Sequence, residues 1–212
     1  LTQNEAQPNG AARFNGTTQT LSIPSNRFKV TQEVTLECRF KAESFAERTG
    51  LVTKTEGSGY GIFITDGRPQ FSIFIGGEYL NALSDTPLLN VDTWHEIAGV
   101  YDGTEARLYL DGKLVASASH QGELKDNQLP LIIGGDVNGQ GEADSHFAGL
   151  IDWVRLTPTA LYTGPEMTHA SENMEAMIDL PLDENIGPWH PDTSPSKSHA
   201  ISTGGVIIET IK

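Results

Sequence analysis

Cys38 is the only cysteine, so no intrachain disulfide can form and the fold must close without a staple. Basic side chains are scarce: 14 Lys and Arg stand against 28 Asp and Glu, a formal charge of −14. Nucleic-acid binding needs clustered Lys and Arg, so that partner is excluded, and an anionic membrane surface is disfavoured on the same ground. No apolar run approaches the ~18–20 residues of a transmembrane helix, so membrane insertion is not expected. No signal peptide is visible at Leu1, although a trimmed mature domain would begin the same way. The six histidines fall in no H-x-x-x-H or H-E-x-x-H pattern, which leaves a zinc centre unsupported. G-x-S-x-G and a phosphate loop are missing too, and Cys38 has no local nucleophile signature.

What the chain does have is many short apolar or alternating runs, bounded by Gly, Asn, Asp and Pro. Strands are expected near 12–16, 20–24, 34–42, 50–53, 60–65, 70–75 and 78–82. More are expected near 94–101, 106–110, 113–119, 131–134, 147–157, 177–182 and 206–211. In V-T-L-E-C-R-F, Val34, Leu36, Cys38 and Phe40 share one face, which makes Cys38 a small buried hydrophobe. Asp111-Gly112 sits between L-Y-L and K-L-V, and D-G suits a two-residue hairpin because both positions need positive φ. Gly76-Gly77 marks a second such turn and Asp102-Gly103 a third reversal. The best helix candidate, 171–177, would last two turns at most. The pattern predicts one all-β domain over 1–212, a two-sheet antiparallel sandwich or jelly roll, to which the C-terminal strands (about 177–211) return. At this length about 70% of the unfolded surface can be buried.

Five stretches resemble the laminin-G-like, concanavalin A-like family of jelly-roll domains. Arg13-Phe14-Asn15-Gly16 with 20–24 resembles the opening F-D-G … L-x-I-P. Val34–Lys41 resembles V-T-L-E-x-W-F-K, with Arg39 at the usual Trp. T-W-H-E-I-A-G-V-Y-D-G … L-Y-L-D-G-K-L-V at 93–115 and F-A-G-L-I-D-W-V-R-L at 147–156 are two more. The last, L-P-L-D-E-N-I-G-P-W-H-P-D-T-S-P-S-K-S-H-A at 180–200, opens the domain in many relatives. Here it ends it, as in a bacterial subgroup of large secreted proteins, which places the returning strand beside the first. The resemblance implies sugar binding, adhesion or, in distant relatives, glycan cleavage, so fold alone does not settle function.

Asp152 is the sharpest single residue. Strict alternation sends Leu150, Asp152 and Val154 one way and Ile151, Trp153 and Arg155 the other. A carboxylate so placed needs a partner. The resemblance implies a structural calcium there, with Asn15, Gly16 and Asp183 as neighbours; the alternative is an Arg or backbone N–H groups. Asp136, Asn138, Glu142 and Asp144 share the spacing of a calcium loop without its full pattern; the resemblance implies a rim loop that binds calcium and ligand, through Asp136, Asn138 and Asp144, and the alternative is a plain polar hairpin loop. Sugar sites pair an aromatic platform with polar groups, which points to Trp189 in a Pro-flanked loop and to Tyr60 and Tyr79 on the curved sheet. In the family Trp94 is usually a core residue.

Jelly-roll glucanases carry E-x-D-x-x-E on one strand, so that alternate acids reach the cleft. That pattern is absent: Glu37 and Glu43 have the wrong spacing, and Asp179, Asp183 and Glu184 flank prolines and a turn. The expected function is a non-catalytic, lectin-like module of a secreted or surface protein. Its expected partner is a glycan or glycoconjugate, with one structural calcium, within a larger multidomain protein. Protein–protein adhesion, or a spacer role, is the alternative, and a diverged glycan hydrolase or lyase a third.

Overall fold

The structure, a computed structural model, describes residues 9–30, 32–168 and 175–211. In chain order the first strands are β1 (Gly10–Asn15), β2 (Thr20–Ile23), β3 (Val34–Ala42), β4 (Thr49–Lys54), β5 (Tyr60–Thr65) and β6 (Arg68–Ile75). They are followed by β7 (Glu78–Leu83), β8 (Trp94–Tyr101), β9 (Glu105–Leu110), β10 (Lys113–Ser119), β11 (Leu131–Ile133) and β12 (Asp136–Val137). The last are β13 (Ala143–Asp144), β14 (Ala148–Thr157), β15 (Ile178–Leu180), β16 (Trp189–His190), β17 (Ala200–Thr203) and β18 (Ile207–Thr210). One turn of 3-10 helix, Ser25–Arg27, is the only helical element among the described residues. None there is long and apolar enough to cross a membrane. Of the helix candidate at 171–177, residues 171–174 lie outside the described residues, and the three that follow are not helical.

Two antiparallel sheets form a jelly-roll sandwich. The first runs β10-β9-β8-β3-β14-β1-β18, with β15 also on β14; the second runs β16-β17-β2-β11-β4-β5-β6-β7. The C-terminal strands enter both: β18 pairs with β1, and β17 with β2. Val34, Leu36, Cys38 and Phe40 all face the core, because a strand repeats its facing every second residue. Phe14, Phe40 and Phe147 meet edge to face there, with centroids 6.1 and 6.2 Å apart. Burying a ring of this size stabilises by about 1.5–3 kcal/mol. Asp111 and Gly112 have φ of 48° and 84°, the pair of positive angles that a two-residue hairpin demands.

Alternation fails at Asp152. In the β3 ladder Ile151 opposes Phe40 and Trp153 opposes Arg39, so Asp152 is the extra residue of a β-bulge. The bulge resets the phase: Ile151 and Val154 both join the core, and the predicted grouping of Val154 with Asp152 does not hold. Trp94 is also displaced from its expected core position. It lies on the outer face of the first sheet, beneath Arg39 at 4.5 Å and Lys41 at 5.5 Å, while its neighbour His95 turns inward.

The outer face of the first sheet is partly roofed. Leu161 and Tyr162 cover Ala98, Val100 and Tyr109, and the Tyr162 hydroxyl donates to Glu37 Oε1 at 2.8 Å.

His190, wholly buried, has neither ring nitrogen hydrogen-bonded, and burial holds its pKa below the usual histidine range. The unfolded chain therefore binds a proton that the folded one refuses. Stability should fall as pH drops below about 6.5, by about 1.4 kcal/mol per pH unit until the folded pKa is reached. Urea titrations across that window should show the slope in the wild type and a flatter curve in His190→Leu; equal slopes would contradict the assignment.

Candidate functional site on the second sheet

Residues directly opposed in antiparallel ladders project to the same face. Followed across the second sheet, Trp189 opposes Ile201, Ile201 opposes Ser22, Ser22 opposes Ile132 and Ile132 opposes Thr53. The row continues through Gly61 and Ser72 to Asn81 at the far edge. This is the outer face, because the alternate residues Leu21, Ile23, Leu131 and Ile133 fill the core. Trp189 is 47% exposed at one end of the row.

The β12–β13 hairpin lies across this face and divides it. Thr53 Oγ1 donates to Gly135 O at 3.0 Å, and Thr55 Oγ1 donates to Asp136 Oδ1 at 2.7 Å. Arg48 donates to Asp136 Oδ2 at 2.6 Å and stacks 4.0 Å above the Phe63 ring. Asp136 is thus the pin that fastens the hairpin to the sheet. Asn138 Oδ1 accepts from Gln140 N and Glu142 N, both at 3.0 Å, and so closes the hairpin's own turn. Both polar side chains are engaged in the loop's own structure. Asp144 is exposed opposite Asp136.

On the β7 side of the hairpin the polar groups satisfy one another. Gln70 Nε2 donates to Ser72 Oγ and Asn81 Oδ1, both at 2.9 Å, and Ser72 Oγ donates to Asn81 Oδ1 at 2.6 Å. Tyr79 stands on this face, but its hydroxyl accepts from Glu56 N at 2.9 Å and donates to Ser58 O at 3.1 Å. It fixes the β4–β5 turn. Tyr60 does not line the sheet surface at all: it is fully buried and opposes the core residue Ile73, one step out of phase with the outward row.

The β17 side is open. A trough of about 560 Å³ has Thr20, Ser22 and Thr203 on its floor, with Ile132, and the hairpin residues Glu142 and His146 on its wall. With strands about 4.8 Å apart, Trp189 stands two strands, or about 10 Å, from Ser22. Hydroxyls beside an exposed indole match the two kinds of surface a sugar ring offers. Trp189 was expected to be an exposed aromatic, and it is exposed. The floor was not named, although T-L-S-I alternates hydroxyl and apolar residues and carried that signal.

The expected cation site does not assemble. Asn15 opposes Ala148, four residues from Asp152, or about 13 Å along the strand. Its Oδ1 accepts from Thr17 N and Thr18 N at 3.0 Å, closing the turn after β1. Gly16 lies farther still. Asp183 is close enough to Asp152 to feel its charge, but its Oδ1 accepts from Gly10 N at 3.0 Å. The Asp152 carboxylate is bonded to the Arg39 guanidinium. Burial raises its pKa, the Arg39 contact opposes that, and the Asp183 charge adds to it. The four residues are not one donor set, and a guanidinium occupies the place expected for a cation. Among the described residues no three or more His, Cys, Asp or Glu are gathered at one place.

Comparison with known proteins agrees with this architecture. An asparagine-rich protein of Margaritifera margaritifera is 31% identical over 157 residues, covering 69% of this chain. The chain spans only 22% of that relative's length. A candidate carbohydrate-binding protein from Bacteroides ovatus superposes with a TM-score of 0.73 at 19% identity, over 98% of this chain and 61% of that one. Domains LG4-5 of the mouse laminin alpha1 chain give 0.58 at 19% identity, over 79% and 48%. The CBM40 of the Ruminococcus gnavus IT-sialidase, bound to alpha2,3 sialyllactose, gives 0.56 at 15% identity, over 72% and 91%. At such identities these structures speak for the fold. A family model matches residues 15–163, well over half of the sequence, and the chain belongs to the concanavalin A-like lectin/glucanases superfamily.

Proposed function

We propose that this chain is a non-catalytic carbohydrate-binding module of a larger extracellular or surface protein. Its glycan would lie on the outer face of the second sheet, in the trough beside Trp189. The observation that carries the reading is the cross-sheet row, which sets a half-exposed indole and a hydroxyl-lined floor on one open surface. The carbohydrate-binding relatives support the same class of ligand. Cleavage of a glycosidic bond needs two carboxylates flanking it, and the trough lining includes one, Glu142.

A glycan array should retain the wild-type protein on a subset of oligosaccharides. Trp189→Ala should weaken that binding by about tenfold, the scale of one stacking aromatic. Retention on no glycan would sink the reading and favour protein–protein adhesion, for which Ile186 and Trp189 supply exposed apolar surface.

A further inference from the structure

We infer that the glycan bound here is an extended oligomer carrying acidic groups, because the trough continues along β2 to a pair of unanswered cations. This rests on the carbohydrate reading above and adds the ligand's length and charge. Ser22 lines both the trough and a second depression of about 380 Å³, whose other walls include Pro24 and Pro130. Ser25, Asn26 and Gln128 line that depression and also a larger cavity of about 780 Å³. Shared walls set the three in series beside β2, and an extended ligand would follow them as one furrow. β2 alone spans about 13 Å at ~3.3 Å per residue, and the furrow passes beyond both its ends. A single sugar would leave most of it empty.

Arg27 and Lys29 line the far cavity. Phe28 between them is buried and extended, with φ −153° and ψ 156°, so the two cations project to the same side. Among the described residues neither has a carboxylate within ion-pair distance, whereas Arg13, Arg39, Arg48, Lys54, Arg107 and Arg155 all do. Two acidic residues also line the cavity. Asp126 is answered by the buried Lys54 at 2.7 Å, which leaves Glu123 against two cations. With Lys54 answering Asp126, the cavity wall carries one positive charge in excess, which suits a carboxylate or sulfate on the ligand. The free amides of Asn26 and Gln128 supply hydrogen bonds to the hydroxyls between.

The test is calorimetry with hexagalacturonate, a chondroitin sulfate hexasaccharide and cellohexaose. At least one acidic oligomer should bind about tenfold more tightly than the neutral one, the scale of two exposed charge pairs, and the two acidic arms separate carboxylate from sulfate. Added salt should erase the difference. The double variant Arg27→Ala, Lys29→Ala should bind the acidic oligomer no better than it binds cellohexaose. Equal affinity for acidic and neutral oligomers, or an unaffected double variant, overturns the inference and leaves the carbohydrate reading standing. Binding of none of the three, together with an empty glycan array, overturns both.

Discussion

Replacing Asp192 with alanine is expected to lower the stability of the fold by about 4 kcal/mol, among the largest effects a single substitution produces. Asp192 is 2% exposed and organises the D-T-S-P-S-K-S segment around itself. Its Oδ1 accepts from Asp179 N and Ser194 N, both at 2.9 Å. Its Oδ2 accepts from Ser198 N at 2.6 Å and from the hydroxyls of Ser194 at 2.7 Å and Ser196 at 3.0 Å. Alanine strands the three backbone N–H donors, each at a cost of about 1–3 kcal/mol before relaxation, while the two hydroxyls still reach Met177 O. Asn at the same position keeps one acceptor and should cost about half as much. Chemical denaturation measures both, and a loss below about 1 kcal/mol for Asp192→Ala would contradict the role given to this carboxylate.

The same residue sets the behaviour in acid. Burial alone would raise the Asp192 pKa, but the hydrogen bonds from Asp179, Ser194 and Ser198 outweigh it and leave it below the usual carboxylate range. Its contribution is thus present above the unfolded carboxyl pKa of about 3.9 and is lost as pH falls through the folded value. His190, two residues earlier, acts at higher pH, below about 6.5. Acid should therefore act on this tail first through His190 and then, at lower pH, through Asp192.

The second large effect concerns binding. Ser22→Trp should reduce oligosaccharide affinity by at least about a hundredfold while leaving the melting temperature near that of the wild type. Ser22 is the middle of the outward row and the residue common to the trough and the second depression, so an indole there blocks the furrow at its centre. It points away from the core, and so the added volume meets solvent rather than packed side chains. Should this variant fail to fold, Ser22→Tyr carries the same expectation with less bulk. Retained affinity in a folded variant would move the ligand elsewhere.

Much of the sandwich was legible in the sequence because each strand declares its own facing. V-T-L-E-C-R-F shows its inward residues by alternation alone, and the strand falls where expected, at Val34–Ala42. Asp111-Gly112 names its own turn for an equally local reason. Asp152 was misread because a bulge is an extra residue relative to a partner strand more than a hundred positions away, and nothing within I-D-W-V announces it. The Arg39 that answers it stood in plain sight, at the position where relatives carry Trp. The proposed binding face was the least legible feature. Trp189, Ile201, Ser22 and Ile132 are brought together only by three long-range pairings, and alternation within each strand says nothing about which strands adjoin. Asp136 and Asn138 were conspicuous in the sequence, and they prove to be the fastening and the turn of the hairpin beside the proposed site.

An amide NMR titration with hexagalacturonate and cellohexaose tests the central claim most directly. Saturable shifts should cluster at Ser22, Ile132 and Ile201 and at the Trp189 indole N–H, with those of the acidic oligomer extending to Arg27 and Lys29. Shifts confined to the outer face of the first sheet, around Arg39 and Trp94, or no saturable shift with any oligosaccharide retained on the array, would contradict it.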